Sequence, residues 1–235
     1  MCTVSYLPLG GNNFILTSNR DETPLRDTVS LKSYIENDVE LTYPKDKLAG
    51  GTWIGTSDKN RLVCLLNGGF KKHIRKSSYK NSRGIIVKNI LSADDGVSYI
   101  NNFDFTEIEP FTLILVDWSK QLETYELVWD GLKKHFKKLA QEPKIWSSAT
   151  LYTQEMKQLR EEWFANWLKE NTEFEQQEIL KFHKNDTLGI PATSVKMKRL
   201  FVETVSITSV IKENSKVDIL YIDFLEKGQK ALQDR

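Results

Sequence analysis

Residues 61–67, Arg-Leu-Val-Cys-Leu-Leu-Asn, limit the fold more than any other stretch. Ser57-Asp58-Lys59-Asn60 closes them off on one side and Gly68-Gly69 on the other. The run is apolar at nearly every position instead of alternating. A strand keeps such a pattern only when both of its faces are buried. A chain with this strand therefore needs a sheet inside a layered structure. Gly50-Gly51-Thr52-Trp53-Ile54-Gly55-Thr56 reads as its partner across the 57–60 turn.

Other strands come in pairs as well. Thr3 to Leu7 and Phe14 to Ser18 flank the turn cluster Pro8-Leu9-Gly10-Gly11-Asn12-Asn13, so residues 2–18 read as a hairpin. Phe111 to Val116 with Leu122 to Val128 forms another, and Leu200 to Ile211 with Val217 to Phe224 a last one. Between them lie helical patterns. Ser82 is placed to cap a helix from Arg83 to Leu91. Gln154 to Lys169 carries Met156, Leu159, Trp163, Phe164, Trp167 and Leu168 at helical spacing, and a shorter helix covers 174–183. Antiparallel pairs with helices in blocks mean α+β. No linker or repeat interrupts the chain, and 235 residues suit a single domain over 1–235.

Composition excludes several classes. A net charge of +1 advertises neither nucleic acid nor an anionic membrane, and no nucleic-acid partner is expected. Two cysteines, Cys2 and Cys64, are too few for a disulfide framework. No apolar run reaches membrane-spanning length. The N-terminus lacks a basic segment followed by an apolar one, so the expected location is cytoplasmic. His73, His135 and His183 show no metal spacing, and neither a metal nor another cofactor is expected. Cys64, in the apolar run, reads as a packed core thiol.

Cys2 follows Met1 directly. With Met1 removed, one residue carries a thiol and a free α-amine, a nucleophile and its base. An α-amine with pKa about 7.7–8.0 is partly neutral at pH 7 and can accept the thiol proton. A retained Met1 would turn that amine into an amide and abolish the base. In a tight hairpin the end of the second strand lies opposite the start of the first. Asn19-Arg20-Asp21-Glu22 therefore falls beside Cys2. Alternation puts Asn19 and Asp21 on one face and Arg20 and Glu22 on the other. A carboxylate such as Asp21 there can hold the amine by a charge-assisted hydrogen bond. On charge alone, the same cluster reads as a solvated strand end.

Met-Cys, one hairpin, then Asn-Arg-Asp-Glu resembles the NRDE family, also called the transport and Golgi organisation protein 2 family. Gly51-Thr52-Trp53-Ile54-Gly55, Leu65-Leu66-Asn67 and Ser82-Arg83-Gly84 resemble it too. The layout is more distantly similar to N-terminal nucleophile (Ntn) hydrolases of the choloylglycine and penicillin V acylase type. That resemblance implies a four-layer αββα sandwich. It implies Cys2 as nucleophile, Asp21 as the group orienting its amine, and Asn67 with Ser147 as the oxyanion donors. Asn19, Arg20 and Arg83 then stand on the substrate side. Two positions depart from the hydrolase pattern: Ser18 stands where those enzymes carry arginine, and Ser147 where they carry asparagine.

The function expected is a cysteine hydrolase acting on a small amide, with an unidentified small-molecule substrate. The alternative is a non-catalytic binding or trafficking protein that holds a haem-like or acyl-lipid ligand in the same pocket. Lys71-Lys72-His73-Ile74-Arg75-Lys76 reads as a solvated loop, and the Trp163, Phe164, Trp167 cluster as core.

Overall fold

The structure, a computed structural model, describes residues 3–225 of the chain. It holds two antiparallel sheets and four helices. Contacts divide the described residues into two compact units, each with one sheet.

The first unit comprises residues 3–26, 142–147 and 152–225. Its strands are β1 (Thr3–Pro8), β2 (Phe14–Glu22), β10 (Lys144–Ser147), β11 (Glu203–Glu213) and β12 (Lys216–Asp223), in the order β10-β1-β2-β11-β12. The β1–β2 turn takes Gly10 and Gly11 at positive φ, as the sequence foretells. Asn13 of that turn accepts the Asn214 backbone N–H at 2.7 Å, tying the two hairpin turns together. Two helices, α3 (Gln154–Glu170) and α4 (Gln176–His183), pack on one face. Leu7, Ile15, Ile145, Phe164, Ile179, Phe182 and Val195 form the core there, with Trp163 and Trp167 packed against it. The aromatic cluster is thus core. Leu159, expected on the apolar side of α3, is 40 % exposed.

The second unit comprises residues 27–141 and 148–151. Its sheet runs β3 (Thr28–Glu36), β4 (Val39–Asp46), β5 (Ile54–Ser57), β6 (Arg61–Asn67), β7 (Phe111–Asp117), β8 (Glu123–Trp129), β9 (Lys134–Lys138), in sequence order. Helices α1 (Arg83–Ser92) and α2 (Gly96–Asn102) belong to it. Val63 and Leu65 of β6 pack in one core with Ile86, Val87, Ile90 and Leu91 of α1. Leu62, Cys64 and Leu66 on the other face are buried too. The strand is covered on both sides, as its composition requires.

Several elements lie outside the sequence expectation. The β3–β4 hairpin turns on Asn37-Asp38, both at positive φ, and β4 points Val39, Leu41 and Tyr43 inward. Helix α2 and strands β9 and β10 are short, which mutes their periodicity. Ser82 stands at the N-cap of α1 but its side chain makes no capping bond. At the other end, Arg61 donates from its guanidinium to the Ile90, Ala93 and Asp94 carbonyls, closing the helix from β6. The expected strand start at Leu200 is displaced: β11 begins at Glu203, and Leu200-Phe201 form a turn.

Gly51 and Gly84 explain each other. A Cβ on Gly51 would lie 2.6 Å from the Gly84 carbonyl carbon, and one on Gly84 would lie 2.9 Å from the Thr52 backbone. The Thr52 N–H donates to the Gly84 carbonyl. Two motifs about thirty residues apart in sequence are therefore one backbone contact, which fixes where α1 starts.

Candidate active site

Thr3 pairs with Asn19 on β2 and with Ser147 on β10. The strand that follows Cys2 therefore starts between these two residues. Cys2 itself lies outside the described residues.

The odd-numbered side chains of β2 face the helices. Ile15 joins the helix-side core. Thr17 bonds Ser209, which also receives Gln176 of α4. Asn19 meets His183 at the end of α4, and Asp21 meets Tyr152 just before α3. Ser18 and Arg20 point to the opposite face. By register Ser206 and Thr208 lie beside them, and both hydroxyls are buried without a hydrogen-bond partner among the described residues. The Arg20 guanidinium reaches the Arg26 carbonyl at 3.4 Å.

Asn19 is engaged through its whole amide. Its Nδ2 donates to the carbonyls of His183 and Val195, at 3.0 and 2.9 Å. That fixes Oδ1 as the acceptor for His183 Nδ1, at 2.6 Å. His183 Nδ1 therefore carries the proton, and Nε2 accepts from the Ser5 hydroxyl at 2.7 Å. Burial, reinforced by the charge of Arg160, pushes the His183 pKa down to about 3. The imidazole is neutral and structural.

Asp21 is 2 % exposed. The Tyr152 hydroxyl donates to its Oδ2 at 2.7 Å and the Thr204 hydroxyl to its Oδ1 at 2.6 Å. Behind the carboxylate, the Arg160 guanidinium lies 3.5 Å from the Tyr152 ring centroid and that of Arg199 5.3 Å. Arg160 is fully buried and donates to the Ser194 carbonyl, while its Nε and Nη1 have no hydrogen-bond partner among the described residues. The sequence reading did not single out Tyr152, Thr204 or Arg160, and it considered His183 only as a metal ligand. One signal was present: Arg160 stands four positions from both Met156 and Phe164, a charge inside the apolar stripe of α3.

In the second unit, β6 ends at Asn67. Its carbonyl accepts the Ser148 hydroxyl at 2.7 Å. Gly68, at φ +86°, donates to the Pro110 carbonyl and accepts from Thr112. Among the described residues, nothing hydrogen-bonds the Asn67 side chain. Arg83 donates to the same Pro110 carbonyl at 3.1 Å and pairs with Glu109 at 3.1 Å. His73 also reaches Glu109, which ties part of the basic loop down. Thus Asn19, Asp21 and Ser147 gather at one sheet end in the first unit, while Asn67 and Arg83 share the Pro110 carbonyl region in the second. Among the described residues, no three His, Cys, Asp or Glu side chains cluster as a metal would require. No helix among them is long and apolar enough to cross a membrane.

A family model described as "Transport and Golgi organisation 2" matches residues 1–224. No curated protein matches the chain by sequence. Among solved structures, the Caenorhabditis elegans ortholog of N-acylethanolamine-hydrolyzing acid amidase is similar at TM-score 0.61. It is 13 % identical, over 88 % of this chain and 92 % of that one. A variant of conjugated bile acid hydrolase from Clostridium perfringens gives TM-score 0.50 at 10 % identity, over 96 % and 93 %. At such identities the likeness shows the fold alone, an α+β fold with two antiparallel sheets and four helices.

Proposed function

Since this chain belongs to the Transport and Golgi organisation 2 family, we propose that it is an N-terminal cysteine hydrolase cleaving a small, non-peptide amide. The observation that carries this reading is the buried Asp21. It stands on β2, the strand that runs beside the start of β1, and is fixed by hydroxyl donors from Tyr152 and Thr204. The likeness of fold to an acid amidase supports the same reaction class.

In this reading Met1 is removed and the Cys2 α-amine takes the thiol proton. The sulfur attacks the amide carbon, and the carbonyl oxygen becomes an oxyanion. The uncommitted Asn67 amide and the Ser147 hydroxyl donate to it. The ammonium then protonates the leaving nitrogen as the C–N bond breaks, leaving a thioester. Water, deprotonated by the same amine, releases the acid and restores the thiol. Asp21 holds the amine in place. Arg20 serves a substrate carboxylate on the face it shares with Ser206 and Thr208. Asn19 and Arg83 serve the substrate through the elements they tie down.

The test uses Met1-cleaved protein and a panel of N-acyl amides and β-lactams. Turnover should rise with pH through the α-amine pKa, and Cys2→Ser should remove it. Asn67→Ala should lower kcat by about 100-fold, because the oxyanion exists only near the transition state. If no amide turns over, and both variants keep wild-type affinity for an acyl or haem-like ligand, the protein is a binder and the hydrolase reading fails.

A further inference from the structure

The segment before β11 ends in a turn of unusual composition. Lys198 and Glu203 form an isolated antiparallel bridge, and the Arg199 N–H donates to the Val202 carbonyl at 2.8 Å. This leaves Leu200 and Phe201 at the corner of a tight turn. Corner positions ordinarily go to Gly, Asn, Asp or Pro. Here two large apolar side chains occupy them, 86 % and 75 % exposed. Ile190, 63 % exposed, adds to the apolar surface of the neighbouring segment, where the Pro191 carbonyl accepts the Lys198 N–H.

The turn stands on a firm base. Arg199 Nε donates to the Ala192 carbonyl, and Met197 and Thr204 exchange hydrogen bonds beneath the turn. The Leu-Phe tip is therefore held out by structure.

Cations surround it. Residues 184–203 carry Lys184, Lys196, Lys198 and Arg199 against Asp186 and Glu203. A cavity of about 330 Å³ opens beside the turn, lined by Lys196, Lys198, Asp186, Glu203, Pro191 and Phe224 among others. Its two lysines are only loosely paired. Lys196 lies 3.9 Å from Asp186 and Lys198 3.8 Å from Glu203, both beyond hydrogen-bond distance, and Lys196 also sits 4.8 Å from the Phe224 ring centroid. A convex apolar tip, with loosely paired ammonium groups set back from it, fits an interface that is apolar inside and anionic at its surface. Such an interface needs no matching pocket, which a convex tip would require of a protein partner. The whole-chain charge of +1 conceals this local excess.

We infer that the 198–203 turn docks the protein on an anionic phospholipid surface. Leu200 and Phe201 enter the acyl-chain boundary, and Lys196 and Lys198 meet headgroup phosphates. The inference does not depend on the hydrolase reading.

Co-sedimentation of the full chain with vesicles tests it. Vesicles of phosphatidylcholine with phosphatidylserine should pull the protein down, and added salt should release it. Pure phosphatidylcholine should bind it at least about tenfold more weakly. The double variant Leu200→Ser, Phe201→Ser should cut binding to the anionic vesicles by about tenfold or more. Lys198→Glu should cut it by about fivefold or more. Leu132→Ser, at an equally exposed leucine of the other unit, should leave it unchanged. Circular dichroism of each variant should match the wild type, since the altered side chains are exposed. Failure of the wild type to sediment with anionic vesicles overturns the inference. So does equal binding to both vesicle types, or wild-type binding by the double variant.

Discussion

Tyr152 joins opposite charges through one side chain. Its hydroxyl serves the Asp21 carboxylate, and its ring lies against Arg160. These two jobs separate by substitution. Tyr152→Phe keeps the ring and leaves Asp21 Oδ2 without this donor, which should cost about 1.5–3 kcal/mol, the usual range for a hydrogen bond to a charged group. Tyr152→Leu also removes the surface under a buried guanidinium and should cost more. Denaturant midpoints of the two variants read the difference; equal midpoints would mean that the stack on Arg160 contributes nothing. At this scale the sequence is legible only where pairing is local. Asn19 and Asp21 could be placed at the strand end because a short turn fixes the hairpin register. Tyr152, His183 and Thr204 could not, since they lie 131, 164 and 183 positions from the side chains they bond. No short-range pattern encodes a separation of that size.

Among the elements, the contact between Gly51 and Gly84 has the clearest consequence. Each glycine is required by the other's backbone, with no flexible side chain that could move aside. Gly84→Ala should therefore force the start of α1 away from Thr52 and cost about 1–3 kcal/mol or more, as overpacking does. Thermal unfolding would show it as a lowered Tm, and an unchanged Tm would mean that the contact relaxes freely. The strongly apolar strands and the longer helices were legible because their periodicity is sustained. The β3–β4 hairpin shows what was missed. Its outer strand β3 has no fully buried residue, so its pattern is weak, and the Asn37-Asp38 turn is the cue that remained. The Leu200 boundary failed for the opposite reason. Apolar residues in a turn look like a strand when burial is inferred from residue type.

For the molecule as a whole, His183 sets a pH dependence. In the fold its pKa is held near 3, while in the unfolded chain it returns to about 6.5. Between those values the unfolded state binds the extra proton. The contribution is complete above pH 6.5 and declines as pH falls toward 3, by about 1.4 kcal/mol per pH unit once the unfolded imidazole is charged. Urea unfolding at a series of pH values should show this slope, and His183→Gln should flatten it relative to wild type. The same slope in the variant would assign the dependence to other groups.

The strand order of the first sheet has a consequence for synthesis. β2 is flanked by β1 and β11, and β1 by β2 and β10. The first hairpin emerges early, yet its outer neighbours begin only at Lys144 and Glu203. At about 5–20 residues per second, Thr204 follows Asp21 off the ribosome by roughly ten to forty seconds. The β1 edge carries unsatisfied backbone groups until β10 is made, and the β2 edge, the carboxylate strand itself, carries them for the whole interval. A nascent chain of this design must keep a sticky edge apart from every neighbouring chain on the polysome until β11 arrives. Its yield in a crowded cell is then set by how long translation takes to reach β11, and a pause placed before residue 203 would harm it more than one placed after.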